Sequence, residues 1–338
     1  MKNTDLDLIR DLIQEDVNQR GLATLPGGNL IDACPDDFRQ ACASLARHPR
    51  PTLAIVTGFF IPMGQPPCGE TDGPLGAVFL ARALHPLDIR VVIATDEFCA
   101  KAVQAGVNRS GLRKEVPVVV LPRAEEAGTM NVSEYREFFQ ERTGPYTHLL
   151  AIERPGPSHT LESLRMQGAA ETTIRTFLDA VPPDHQDRCH TMRGLDISYT
   201  MSPAQRLFES AQADPDVTTI GIGDGGNEIG MGKIPWDVIR SNIPGGDLVA
   251  CRVPTRHLIV CGISNWGAYG LAAGVHLLRD RAPEASLFNT ETEFDILEFM
   301  VDSGPLVDGI SGLATPTVDG LDFEKYAAVV DKLGALTA

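Results

Sequence analysis

The chain alternates between two rhythms of apolar residues. Leu6, Leu8, Ile9, Leu12, Ile13 and Val17 recur at helical spacing, and after a break at 21–28 the segment Pro35–Arg47 repeats the pattern. The first fifty residues therefore predict two helices forming a short N-terminal arm. From Pro51 the rhythm changes. Leu53–Thr57, Ile89–Ala94, Val116–Leu121, Thr147–Ile152, 217–222 and His257–Cys261 are apolar nearly throughout. Between them, helical spacing covers Leu75–Leu84, Glu97–Ala105, Ser133–Arg142, Ala268–Leu278 and Glu293–Val301, with a helix-rich stretch from 160 to 213. A strand with no polar face is buried on both sides. The alternation thus predicts an α/β fold, a mainly parallel sheet with helices on both faces, over 51–338 after an arm of 1–50.

In open sheets of this kind ligands bind beyond the carboxyl ends of the strands. Acidic residues collect at those positions. Glu70 and Asp72 lie in the loop Cys68–Pro74, Glu153 follows Ile152, Asp224 and Glu228 sit in Gly221–Gly232, and Asn265 follows the last apolar run. Gly221–Gly232 is the most informative stretch, because glycine lets backbone approach a ligand closely. Carboxylates and amides on such a loop suit a cation or an amino group better than a phosphate.

Two carboxylates about 4 Å apart at an effective dielectric near 20 repel by roughly 4 kcal/mol. A converging set must bind a cation, hold protons or pair with a basic side chain, and Arg154 and Lys233 are the adjacent candidates. An oxygen-only set of Glu70, Asp72, Asp224 and Glu228 predicts Mg²⁺ or Mn²⁺ rather than zinc. Simpler roles stay open: Asp72 precedes a Gly-Pro helix start and suits a cap, and Glu153 suits an ion pair with Arg154 or Arg165.

Other motifs do not hold. Gly221, Gly223 and Gly226 fit a dinucleotide fingerprint, but Asp224 and Glu228 stand where a pyrophosphate needs bare N–H groups. Gly262–Trp266 misses the nucleophile elbow because Trp266 replaces the final glycine. The run from Asp184 to His190 has no zinc-ligand spacing, and Val307–Gly312 reads as a structural turn.

Composition narrows the partners. With 29 basic and 45 acidic residues the net charge is −16, which argues against nucleic acid and anionic membrane. No apolar run is long enough to span a bilayer, and the first residues lack the features of a signal or transit peptide. Seven scattered cysteines without a C-x-x-C pair fit free thiols in a reducing cytoplasm. The expected partner is a small-molecule substrate, with a homo-oligomer possible through the arm.

Several segments carry a family resemblance: Glu70-Thr-Asp-Gly-Pro-Leu-Gly-Ala77, Ile152-Glu-Arg-Pro-Gly156, Gly221–Lys233, Ser264-Asn-Trp-Gly-Ala-Tyr269, Gly309-Ile-Ser-Gly312 and Val318-Asp-Gly-Leu321. In order along about 50–325, they resemble the D-glutamate cyclase family, in the C-terminal domain of its mitochondrial members and in stand-alone microbial homologues. The resemblance implies dehydration of D-glutamate to 5-oxo-D-proline. That chemistry needs a base for the α-amine and a neutralised γ-carboxylate. Set against it, Glu153 is the candidate base, completing a catalytic set with Asp224 and Glu228. Asp72, Asp224 and Glu228, with Glu70, are candidate metal ligands. Arg154 or Lys233 would hold the substrate α-carboxylate, with Asn227 and Asn265 donating hydrogen bonds. The same loops also suit a metal-dependent hydrolase or phosphatase, or a non-catalytic amino-acid-binding protein.

Overall fold

The six apolar runs become the six strands of one parallel sheet. The computed structural model describes residues 2–337. In chain order its strands are β1 (Thr52–Thr57), β2 (Phe60–Ile61), β3 (Cys68–Glu70), β4 (Arg90–Thr95), β5 (Val118–Val120), β6 (His148–Ile152), β7 (Thr218–Gly223), β8 (His257–Val260) and β9 (Leu306–Val307). The main sheet has the order β5-β4-β1-β6-β7-β8, with every pairing parallel.

Successive side chains of a strand point to opposite faces, and both faces here are covered. Leu53 and Ile55 of β1 enter one core while Ala54 and Val56 enter the other. The first core also takes Val78, Val103, Leu271, Ile296 and Val330 from helices Pro74–Leu84, Glu97–Arg109, Ser264–Leu278, Thr290–Ser303 and Phe323–Thr337. The second takes Tyr135, Phe177, Leu207 and Ile239 from helices Val132–Thr143, Glu171–Ala180, Gln205–Ala211 and Trp236–Asn242. Each fully buried side chain of this size contributes roughly 1.5–3 kcal/mol, so the continuous apolar runs are what selects the two-sided sheet.

The strand order runs back from β5 to β1 and then forward from β6 to β8, so it reverses between β1 and β6. That reversal opens a crevice at the carboxyl ends of the strands. Glu153 is the first residue after β6 and stands at its mouth.

Three features depart from the sequence reading. The stretch up to Pro74 is not all loop: β2 pairs antiparallel with β3, and β3 pairs parallel with β9, making a second small sheet that ends at Glu70. The Phe323–Thr337 helix adds a C-terminal element, and the helix expected from Ala268 begins one turn earlier, at Ser264. In the N-terminal segment, Leu6, Ile9 and Ile13 of helix Lys2–Ile13 and Phe38, Ala41 and Leu45 of helix Asp37–Arg47 lie in the first core, both helices against Ser264–Leu278.

Candidate active site

The turn missing from the sequence reading is the one that builds the site. Asp72 accepts hydrogen bonds from the backbone N–H groups of Ser264 at 2.9 Å and Asn265 at 2.8 Å, so it caps the Ser264–Leu278 helix from a distant part of the chain. Asn265 reciprocates. Its Oδ1 accepts from Gly73 N at 2.9 Å and Gly76 N at 2.7 Å, capping the Pro74–Leu84 helix. Two helix N-termini thereby point at one place, and their dipoles favour negative charge there. Gly73 has φ +91° and lies so close to Glu153 that a Cβ would sit 2.7 Å from the Glu153 Cβ. Only glycine fits.

The glycine loop after β7 folds around its own acid. Glu228 accepts from Asp224 N at 3.0 Å, Gly225 N at 2.6 Å and Gly226 N at 2.7 Å. This carboxylate therefore organises the loop and turns Asp224 inward. Asp224 Oδ1 meets Arg20 at 2.5 Å, while its Oδ2 is buried without a hydrogen-bond partner among the described residues. Arg20 also reaches Asp319 at 2.7 Å. Asp319, at φ +53°, is set by the loop that Asp308 ties together through Ile310 N, Ser311 N, Thr317 Oγ1 and Gly320 N. Glu153 has φ +42° and accepts a 2.6 Å hydrogen bond from Ser264 Oγ. A non-glycine residue in that region is strained, and such strain clusters at functional sites.

Six carboxylates converge: Glu70, Asp72, Glu153, Asp224, Glu228 and Asp319 are each at most 6% exposed. Asp72, Asp224 and Asp319 each offer an oxygen within 4.8 Å of the others, and so do Glu153, Asp224 and Glu228. Glu70 belongs to neither trio. It faces Gly309, where a Cβ would lie 2.0 Å from its Oε2. Burial raises the acid pKa of Glu70, Glu153, Asp224 and Asp319, and neighbouring carboxylates push the same way. Asp72 rises to about 8, burial and Asp319 outweighing the N–H groups of Asn265 and Ser264 and the charge of Arg20. Burial opposes the charge on Arg20, yet Asp224 and Asp319 more than compensate and hold it protonated. One guanidinium cannot balance this much potential charge, so the site must hold protons or a cation. The all-oxygen trios and the unpartnered Asp224 Oδ2 fit a hard divalent ion.

The candidate cations near these loops turn elsewhere. Arg154 is fully buried, bonded to Asp96, to Gly58 O at 3.2 Å and to Ser202 O at 2.7 Å. Lys233 pairs with Asp37 and donates to Arg256 O. Neither faces the carboxylates. Asn227 donates to His190 O at 2.8 Å, leaving its buried Oδ1 unpartnered among the described residues, and Asn265 is occupied with the caps. Sequence reasoning missed Arg20, Ser264 and Asp319. Asp319 lies inside the Val318–Leu321 segment, whereas nothing in local spacing ties Arg20 to a loop two hundred residues away.

A cavity of about 320 Å³ opens over Arg20, Glu70, Glu153 and Asp319, with Arg193 and Ile310 at its wall. Arg193 is exposed and donates only a long bond to Ile310 O, 3.3 Å, with no carboxylate paired to it among the described residues. No described helix is long and apolar enough to cross a membrane.

The sequence model of the family described as D-glutamate cyclase-like, C-terminal, matches residues 9–181 and 170–334. The chain is 29% identical over 358 aligned positions to the human mitochondrial D-glutamate cyclase, covering 97% of this chain and 51% of that protein. It thus spans about half the length of this relative. Matched along nearly all of its length, the chain belongs to the D-glutamate cyclase-like, C-terminal family.

Proposed function

We propose that this site closes an acidic amino acid, D-glutamate foremost, into its lactam 5-oxo-D-proline with loss of water, as a hydro-lyase. The observation that carries the reading is a ring of buried carboxyl groups with raised proton affinity beside two guanidinium groups, at the switch point of the sheet. A γ-carboxylate is a poor electrophile until its charge is removed. Glu70 and Glu153 line the cavity, and their buried carboxyl groups, which favour the protonated form, would supply that neutralisation. The α-ammonium must then shed two protons, and the departing oxygen needs two to leave as water. Proton uptake and delivery therefore balance within the site, with Glu153 as the exchanging group and Ser264 Oγ orienting it. Holding amine and acyl carbon together replaces the entropy of encounter, and intramolecular attack reaches effective molarities on the order of 10⁵ M or more. Arg193, a cation at the wall with no carboxylate paired to it among the described residues, suits the substrate α-carboxylate.

Asp224, with Asp72 and Asp319 or with Glu153 and Glu228, would hold a Mg²⁺ or Mn²⁺ ion. When bound, such an ion supplies Lewis-acid stabilisation worth several kcal/mol to a developing oxyanion. A phosphorylated substrate fits less well, because its dianion would face the carboxylates, while an ammonium is attracted by them. Seven free cysteines support a reducing compartment such as the cytoplasm.

The test is direct. Purified protein is incubated with D- and L-glutamate, with EDTA and then with excess Mg²⁺ or Mn²⁺, and 5-oxoproline is followed by chiral chromatography. Lactam from the D-isomer, lost with chelator and restored by metal, is the expected result. No lactam from either isomer with either metal would sink the reading.

A further inference from the structure

The floor of the cavity is charged and its mouth is not. Glu70, Glu153 and Asp319 are buried, whereas Met63, Leu195 and Ile310 line the same cavity at 66, 44 and 48% exposure. These three apolar side chains come from separate segments joined by two hydrogen bonds, one between backbone groups and one from the Arg193 guanidinium. Gln65 N donates to Gly312 O at 2.9 Å, and Arg193 donates to Ile310 O at 3.3 Å. Side chains this exposed do little to dry the floor. Free glutamate gives them nothing to bind, since every terminus it carries is charged. An apolar mouth continuous with a polar floor is the arrangement of a site for a ligand with a charged head and an apolar tail.

We propose that the site also takes γ-substituted glutamates, amides or esters with an apolar substituent, and expels an amine or alcohol in place of water. This rests on the reading above, that the α-amine closes on the γ-acyl carbon. The amine nitrogen forms the new C–N bond, and the bond from the acyl carbon to the substituent nitrogen or oxygen breaks. The leaving atom keeps the bonding pair and takes one of the two protons lost by the α-ammonium. The other passes to solvent. A γ-amide or ester carbonyl carries no charge, so it needs no prior neutralisation. The substituent lies along Met63, Leu195 and Ile310.

The experiment compares the D-glutamate γ-(p-nitroanilide) with D-glutamate on the same protein, with Mn²⁺ present, reading both p-nitroaniline and 5-oxoproline. Both products are expected to appear together, with kcat/KM about tenfold or more above that for D-glutamate. That ratio combines the uncharged carbonyl and the leaving group with an apolar contact, which alone is worth about tenfold. The double variant Met63→Asp, Ile310→Asp is expected to raise KM for the anilide about tenfold or more and to affect D-glutamate less. If D-glutamate is closed and the anilide is not, the proposal falls while the cyclase reading stands. If neither reacts, both fall. Release of p-nitroaniline with free glutamate instead of lactam means hydrolysis and overturns the proposal. It is also overturned if light scattering finds that the double variant dissociates a dimer while KM for the anilide is unchanged, because the mouth would then be a contact between copies.

Discussion

Arg20 and Asp224 meet at 2.5 Å across 204 positions of chain. The loop that presents Arg20 is stapled by Asp16, whose carboxylate accepts from the N–H groups of Arg20, Gly21 and Leu22. The guanidinium is thus a fixed countercharge, engaging one oxygen of Asp224 and one of Asp319 and leaving Asp224 Oδ2 open.

Replacing Arg20 with Met removes one partner of a buried ion pair, a change that costs about 3–5 kcal/mol where the remaining charge stays ionised. The carboxylates here can take up protons instead, so a loss of about 2–3 kcal/mol is expected by urea unfolding at pH 7. Added Mn²⁺ should then raise Tm more in Arg20→Met than in the parent. An unchanged unfolding midpoint would uncouple Arg20 from the cluster.

Asp224 belongs to both carboxylate trios, so Asp224→Asn keeps the shape while removing a charge from each. Mn²⁺ affinity by calorimetry and lactam formation should fall together, the latter about 10²-fold or more, with the circular dichroism spectrum preserved. Loss of one without the other would separate the ion from the chemistry.

The sheet was legible because its strands need no polar face, so burial on both sides is written directly into consecutive residues such as Leu53–Val56. Five of the six carboxylates that meet, Glu70, Asp72, Glu153, Asp224 and Glu228, were readable from their place in loops that follow strands. What stayed hidden were relationships carried by tertiary packing. Asp72 suits a cap of its own helix by sequence, yet it caps Ser264–Leu278, because the crossing of the two helices decides which N–H groups lie near. Arg154 sits beside Glu153 in sequence, but a strand-end turn sends adjacent side chains apart, and Arg154 goes to Asp96. Local adjacency predicted the wrong cation, and Arg20 took the place.

That placement gives Arg154 a separate prediction. It is a fully buried partner of Asp96, whose other oxygen accepts from Ser202 N at 2.7 Å. Arg154→Met should cost about 3–5 kcal/mol in chemical unfolding, because Asp96 is left buried and unpaired. KM of the protein that remains folded should change little. A large rise in KM with unaltered stability would return Arg154 to the substrate.

Glu153 combines a strained backbone with a hydrogen bond from Ser264. Glu153→Gln should lower kcat about 10²–10⁴-fold with little change in KM, the range for a lost proton-transfer group. Ser264→Ala removes a donor to the ionised carboxylate, which raises the Glu153 pKa further. The acidic limb of the pH–rate profile should then move to higher pH. A shift to lower pH would mean that the hydroxyl favours the protonated form.

Stability against pH tests the same cluster without any assay of turnover. Asp72 rises from 3.8 to about 8, and Glu70, Glu153, Asp224 and Asp319 rise as well, so the folded state holds protons that the unfolded chain has released. For Asp72 that contribution is full below about pH 4 and is lost as pH climbs toward 8, and the other four change stability in the same direction. His148, His159 and His257 act oppositely. Burial lowers them from 6.5 to about 4, so their contribution is present above 6.5 and lost as pH falls toward 4. The two trends oppose each other between about 4 and 6.5, and only the carboxylates remain above that. In EDTA, Tm should therefore decline from pH 6.5 to 8, and Asp72→Asn should flatten the decline. Mn²⁺ should rescue most at the alkaline end, where ion binding no longer has to displace protons. A Tm that climbs through this window in EDTA would mean the carboxylates are ionised and compensated by the protein alone.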